Sequence, residues 1–207
     1  MTRSLAVAAG VAALAFPSAA SAAELSVSPQ KRCYSSNEQV SLLGTGFTAL
    51  SSATVTQGGS AFDPLETDST GAFNGLLTLS LLSGRETRTY TATDDSDPSI
   101  TASAQLRVSS VRVGLKPING PPGRRLSITA RGFTTGPTLW AHVIHNGSKR
   151  NIKIGRLSGA CGDIKARKRL LSSDAAVGVH TIHFDTFRRY ARTRPVRDSY
   201  TFTVTRF

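Results

Sequence analysis

The feature that most constrains this chain is an internal duplication. Ser41-Leu42-Leu43-Gly44-Thr45-Gly46-Phe47-Thr48 aligns with Ser127-Ile128-Thr129-Ala130-Arg131-Gly132-Phe133-Thr134 at an offset of 86 residues. Self-similarity at such a period points to two copies of one structural unit in tandem. The residues around each copy alternate in polarity. Leu126, Ile128 and Ala130 share one face against Ser127, Thr129 and Arg131, and Tyr200, Phe202 and Val204 oppose Thr201 and Thr203. Alternation with period two is the pattern of a strand buried on one face only.

In the first half such runs predict strands near 24–29, 39–46, 52–57, 60–66, 72–82, 87–94 and 100–108. In the second they fall near 110–117, 125–132, 138–145, 150–157, 164–171, 178–186 and 199–206. Turn residues such as Gly120-Pro121-Pro122-Gly123 and Asn146-Gly147 separate them. About seven short strands per half, with no helical periodicity between them, is the pattern of an immunoglobulin-like sandwich. The expectation is an all-β protein of two tandem immunoglobulin-like β-sandwich domains, at 24–108 and 109–207, after a leader at 1–23.

The stretches Gly44-Thr45-Gly46-Phe47 and Ala130-Arg131-Gly132-Phe133-Thr134-Thr135-Gly136-Pro137 resemble the Gly-Phe signature of bacterial secreted Ig-like repeats of the IPT/TIG type. The second half, from Arg131 through the basic run Phe187 to Arg197, is similar to secreted actinobacterial proteins that bring no assigned activity with them. The resemblance implies a fold and a compartment, not a chemistry.

Met1 to Ala23 reads as a secretory signal. Arg3 supplies an early cation, Leu5 to Phe16 an apolar run, and Ala20-Ser21-Ala22 a small-residue exit, with cleavage expected after Ala22 or Ala23. The run is shorter than the ~20 residues of a spanning helix, so no membrane span is expected and the mature chain is placed outside the cytoplasm, free or at the cell envelope. Its two cysteines, Cys33 and Cys161, then meet an oxidising space. With strands alternating down and up, the loop after the first strand of domain one and the loop between strands four and five of domain two lie at ends that face each other. A Cys33–Cys161 bridge across the junction is the resulting expectation. A catalytic thiol at Cys161 has no imidazole beside it in sequence.

Charge is divided unevenly. Residues 24–108 hold 5 basic and 9 acidic side chains, net −4, whereas residues 109–207 hold 19 basic and 4 acidic, net +15. The cations gather in three places: Lys149, Arg150, Lys153 and Arg156 on one hairpin; Lys165, Arg167, Lys168 and Arg169 on the next strand; and Arg188, Arg189, Arg192, Arg194 and Arg197 in the loop before the last strand. Alternation sets Lys165, Arg167 and Arg169 on one sheet face. Such an excess goes beyond what solubility requires and predicts a surface for polyanions, with a solvated, solubilising face as the plain alternative.

Other constellations are weaker. Phe187 and Tyr190 beside arginines are few for base stacking, and an extracellular address argues against nucleic acid as the physiological target. His142 with His145, and His180 with His183, are spaced so that strand geometry sends each pair to opposite faces, and a metal site would need rings from neighbouring strands such as His142 and His180. Asp94, Asp95 and Asp97 before Pro98 form an acidic loop that fits a polar turn better than a calcium site. Nucleophile elbow, phosphate loop, zinc-protease helix and paired-cysteine motifs do not occur.

No cofactor or metal is therefore expected, and the chain is read as a non-enzymatic binding module whose basic second domain contacts an anionic polymer or envelope surface. A protein–protein adhesion or structural module is the first alternative. A small-molecule carrier is the second, because domain one also resembles the secreted chromoprotein-antibiotic sandwiches. That family relies on disulfides within one sandwich, and domain one holds only Cys33.

Overall fold

The computed structural model describes residues 22–193 and 197–205. The expected leader up to Ser21, and Arg194 among the expected anion-binding residues, lie outside the described residues. The first half runs β1 (Glu24–Ser28), β2 (Tyr34–Ser35), β3 (Gln39–Thr45), β4 (Ser52–Gln57), β5 (Ser60–Ala61), β6 (Leu65–Glu66), β7 (Phe73–Thr78), β8 (Arg85–Asp94) and β9 (Thr101–Ser109). The second half runs β10 (Arg112–Lys116), β11 (Asn119–Gly120), β12 (Arg125–Arg131), β13 (Thr138–His145), β14 (Ser148–Arg156), β15 (Ile164–Arg169), β16 (Gly178–Asp185) and β17 (Asp198–Val204).

The two halves share one wiring. Sheet β1-β3-β7 faces sheet β2-β9-β8-β4-β5, with β6 also on β4, and sheet β10-β12-β15 faces sheet β11-β17-β16-β13-β14. In each half the chain leaves the smaller sheet at a proline, Pro29 or Pro117, whose missing N–H ends the ladder. It then joins the larger sheet as a two-residue strand: β2 pairs parallel with β9, and β11 with β17. This is the immunoglobulin-like sandwich. Each half encloses its own core, one built on Leu42, Phe47, Phe73, Tyr90 and Leu106 and one on Ile128, Phe133, Leu139, Phe184 and Phe202.

Two features depart from the strand expectations. The run at 60–66 is two short strands, β5 and β6, which both pair with β4; Phe62 N–H still donates to Val55 O of β4, and Asp63 and Pro64 break the run. The parallel strands β2 and β11 are too short to show alternation, and their partners lie more than 70 residues away in sequence.

The duplicated Gly-Phe element has a structural partner in each half. Gly46 and Gly132 take positive φ of 77° and 80°, which turns the chain so that Phe47 and Phe133 are buried. The carbonyl of each phenylalanine then packs on a second glycine ahead of β7 or β15. A Cβ on Gly71 would sit 2.0 Å from Phe47 O, and one on Gly162 would sit 2.1 Å from Phe133 O. Both glycines also have positive φ, 74° and 64°.

The halves are joined covalently. Cys33, between β1 and β2, and Cys161, between β14 and β15, form a disulfide with Cα atoms 5.1 Å apart, and both residues are buried. Ser35 Oγ lies 2.9 Å from Thr134 Oγ1 beside it. Arg131 Nη2 donates to Ser83 O at 2.8 Å, and Arg85 Nη2 to Asp163 Oδ1 at 2.5 Å.

Gly162→Ala is expected to destabilise the second sandwich by more than about 2 kcal/mol, because it combines backbone strain with a clash against a carbonyl. Gly84→Ala, where a Cβ meets open space, should change stability by less than about 0.5 kcal/mol. Urea unfolding of the two variants checks both.

Candidate functional site

The outward face of sheet β10-β12-β15 is built by alternation. Val113, Leu115, Leu126, Ile128 and Ala130 turn into the core, so Arg112, Gly114 and Lys116 of β10 turn out. Arg125, Ser127, Thr129 and Arg131 of β12 and Lys165, Arg167 and Arg169 of β15 do the same. The register aligns them in rows: Arg112 opposite Arg131, Gly114 opposite Thr129 and Lys165, Lys116 opposite Ser127 and Arg167, and Arg125 opposite Arg169. Seven of these ten outward positions are cations and none is acidic.

The centre of the face is low. Gly114, Thr129 and Ser127 are small, and the cations of β10 and β15 stand on either side of them. Strand geometry sets the rows about 6.7 Å apart and the flanking strands about 9.6 Å apart. The result is an open trough with positive walls and hydroxyls on its floor. At its upper end, against the first sandwich, the trough deepens into a cleft of about 800 Å³ that Arg85, Arg112, Arg131 and Lys165 line.

The expected anion-binding residues therefore do not share one surface. Lys165, Arg167 and Arg169 stand on the trough, whereas Lys149 and Lys153 stand on the outer face of the opposite sheet, on the side of Ile144, His142 and Trp140. Arg150 lies opposite the core residue Val143, and Arg156 opposite Thr138. Lys168 lies opposite Leu126 and is exposed at the sandwich edge. Arg188, Arg189 and Arg192 are exposed in the loop before β17. Sequence clustering missed Arg112, Lys116, Arg125 and Arg131, which the sheet order brings beside β15. The signal available was the alternation of β10 and β12, which places each of them on the polar side of its strand.

On the opposite face the long loop closes over the sheet through Tyr190. Its ring stacks on His183 at 5.2 Å and meets His142 at 5.7 Å. Lys149 Nζ and the Arg197 guanidinium lie 5.5 and 5.0 Å from its centroid. Arg197 also donates to Ala191 O. Lys149 and Arg197 are thus engaged within the protein.

Beneath Tyr190, His142 is fully buried. Its Nδ1 is 2.7 Å from Asn151 Oδ1 and its Nε2 is 3.0 Å from Asp185 Oδ1. The Asp185 carboxylate can only accept, so Nε2 carries a proton, while the Asn151 amide partners Nδ1. Burial alone pushes the His142 imidazole down. The bonds to Asp185 and Asn151, with the Asp185 charge, outweigh burial and the repulsion of Arg197 and hold the ring above its ordinary value. His183 goes the other way: burial lowers it, and the charges of Arg197 and His142 add to the effect.

The histidines pair differently from the expected example. His142 lies opposite His183 across β13 and β16, and His145 stacks on His180 at 4.1 Å, so His142 and His180 are not brought together. Among the described residues no group of three or more His, Cys, Asp or Glu is arranged to hold a metal. In the acidic loop, Asp94 accepts from the backbone N–H of Thr48, Ser96 and Asp97. Asp95 accepts from the Ser52 and Thr54 hydroxyls, and Asp97 from Ser99. These carboxylates fix turns.

No family model matches the chain, and no curated protein sequence matches it. Among solved structures it is similar to the Yersinia pseudotuberculosis adhesin InvE, at 12 % identity and a TM-score of 0.34, over 88 % of this chain and 58 % of that one. It is also similar to red sea bream transglutaminase, at 13 % identity and a TM-score of 0.33, over 89 % of this chain and 31 % of that one. The chain thus spans somewhat over half the length of the first and about a third of the second.

The stabilisation from the raised His142 is fully present below the unfolded imidazole value of about 6.5 and is lost as pH rises through the folded value. The lowered His183 acts in the opposite sense, removing stability as pH falls through about 6.5. A histidine NMR titration should place the His142 midpoint above that of a free imidazole and the His183 midpoint below it. Asp185→Asn should lower the His142 midpoint and destabilise the fold by about 3 kcal/mol.

Proposed function

We propose that this chain is an exported, non-enzymatic binding protein of the bacterial IPT/TIG-like kind, whose second sandwich holds an anionic polymer at or outside the cell envelope. One observation carries the reading: seven of the ten outward strand positions of the β10-β12-β15 face are cations and none is a carboxylate, around an open trough whose head alone holds one, Asp163. A row of like charges about 6.7 Å apart is costly to assemble. A polymer with repeating negative groups turns that cost into attraction and releases counterions.

Binding on this reading is electrostatic. Arginines at 112, 125, 131, 167 and 169 offer forked N–H groups to phosphate, sulfate or carboxylate, while Lys116 and Lys165 act as point charges. Ser127 and Thr129 on the floor add hydroxyl bonds. The first sandwich, net acidic, serves as a spacer or a protein-contact module. The buried Cys33–Cys161 bridge suits the oxidising space to which the expected leader would send the chain.

Binding of the whole disulfide-bonded chain to heparin, a sulfated polysaccharide, across a salt series tests the reading. Full engagement of the face should give a log K against log salt slope of roughly −5. Replacing Lys165, Arg167 and Arg169 by Gln should cut affinity at least tenfold and flatten the slope by about 2. Replacing Arg188, Arg189 and Arg192 by Gln should cost less. Equal binding by the first variant, or no binding at low salt, would move the reading to protein–protein adhesion.

A further inference from the structure

We infer that the cleft between the two sandwiches is a discrete site for a tetrahedral oxyanion, the phosphate or sulfate ester group of a ligand. This goes beyond the polymer reading, because a polymer lying on a strand face needs no preformed pocket. The cleft has a volume of about 800 Å³, within the usual range for small-ligand sites. Its cations come from both sandwiches: Arg112 of β10, Arg131 of β12 and Lys165 of β15, with Arg85 from the start of β8 in the first sandwich.

Their arrangement fits a group with three terminal oxygens. Arg112 and Arg131 lie directly across from each other in the ladder, Lys165 stands one row down on the third strand, and Arg85 approaches from the other sandwich. A carboxylate has only two oxygens to share among them. The backbone makes room, since Gly114 has no side chain at the point where a Cβ would lie 2.5 Å from Thr129 Oγ1. Arg131 holds an unused donor: its Nη2 binds Ser83 O, while its buried Nε has no partner among the described residues.

One negative group is already in the cleft. Asp163 pairs with Arg85 at 2.5 Å, with roughly two fifths of each side chain exposed, so the pair is weak and open to exchange. An arriving ester would compete with Asp163 for Arg85 and bridge the two sandwiches through it. The cleft, with four cations against one carboxylate, keeps an excess of positive charge that matches a dianionic phosphate monoester better than a singly charged sulfate ester.

NMR titration of the full disulfide-bonded chain with methyl phosphate, methyl sulfate and acetate tests this. Saturable amide shifts should centre on Gly114, Thr129, Asp163 and Lys165, with methyl phosphate bound at least tenfold more tightly than acetate. Methyl sulfate should fall between them; methyl sulfate binding the tighter would assign the site to sulfate esters. Arg112→Gln and Lys165→Gln, both at exposed positions, should each weaken methyl phosphate at least fivefold. Asp163→Asn should tighten it severalfold, an effect that loss of folding cannot imitate. Lys149→Gln should change nothing. Shifts that scatter without saturating, or that ignore Arg112→Gln and Asp163→Asn, would overturn the inference. Heparin binding can persist in that case, so the two readings fail separately.

Discussion

The covalent tie between Cys33 and Cys161 is the constraint on which the rest of the arrangement depends. Each cysteine sits in a loop where the chain passes between sheets, so the bridge fastens the end of one sandwich to the facing end of the other. The connecting chain between β9 and β10 has only Ser110 and Val111, and a Cβ on Gly132 would lie 2.3 Å from Ser110 O. A short connection, a close backbone contact and a disulfide leave little freedom for bending. That fixed junction brings Arg85 of one sandwich beside Arg112, Arg131 and Lys165 of the other, and turns the head of an open trough into a cleft.

The charge pattern and the fold work against each other in a way that has meaning. At about 6.7 Å in water, two like charges repel by roughly 0.6 kcal/mol before salt screens them. Seven of them on the outward positions of three strands, with no carboxylate among those positions, is a burden that the core beneath must carry. Val113, Leu115, Leu126, Ile128 and Ala130 supply that support from the inner side of the same strands. On the opposite sheet the cations are handled differently. Lys149 and Arg197 lie over Tyr190, Tyr190 covers His142, and His142 is matched by Asp185. Two cations of that face are engaged internally, whereas most of those on the trough are left open to solvent.

Much of the architecture was legible because alternation is a local signal. The strand positions follow from it, and strand parity alone placed Cys33 and Cys161 at facing ends, where the disulfide forms. The parallel strands β2 and β11 were not legible, since two residues carry no period and their pairing is with distant chain. The cationic trough was half legible: Lys165, Arg167 and Arg169 are neighbours in sequence, but Arg112, Lys116, Arg125 and Arg131 join them only through the order β10-β12-β15. The burial of His142 was hidden for a similar reason. It depends on a tyrosine 48 residues later folding back over the sheet.

On the function we propose, the β10-β12-β15 face, and not its opposite, meets the anionic partner. Lysine acylation followed by mass spectrometry, with and without heparin, tests it most directly, because the lysines divide cleanly between surfaces. Lys116 and Lys165 stand on the trough, Lys168 at the sandwich edge, Lys149 and Lys153 on the opposite sheet, and Lys31 on the first sandwich. Heparin should protect Lys116 and Lys165 while Lys149, Lys153 and Lys31 react as before. Protection confined to Lys149 and Lys153, or spread evenly over all six lysines, would contradict it.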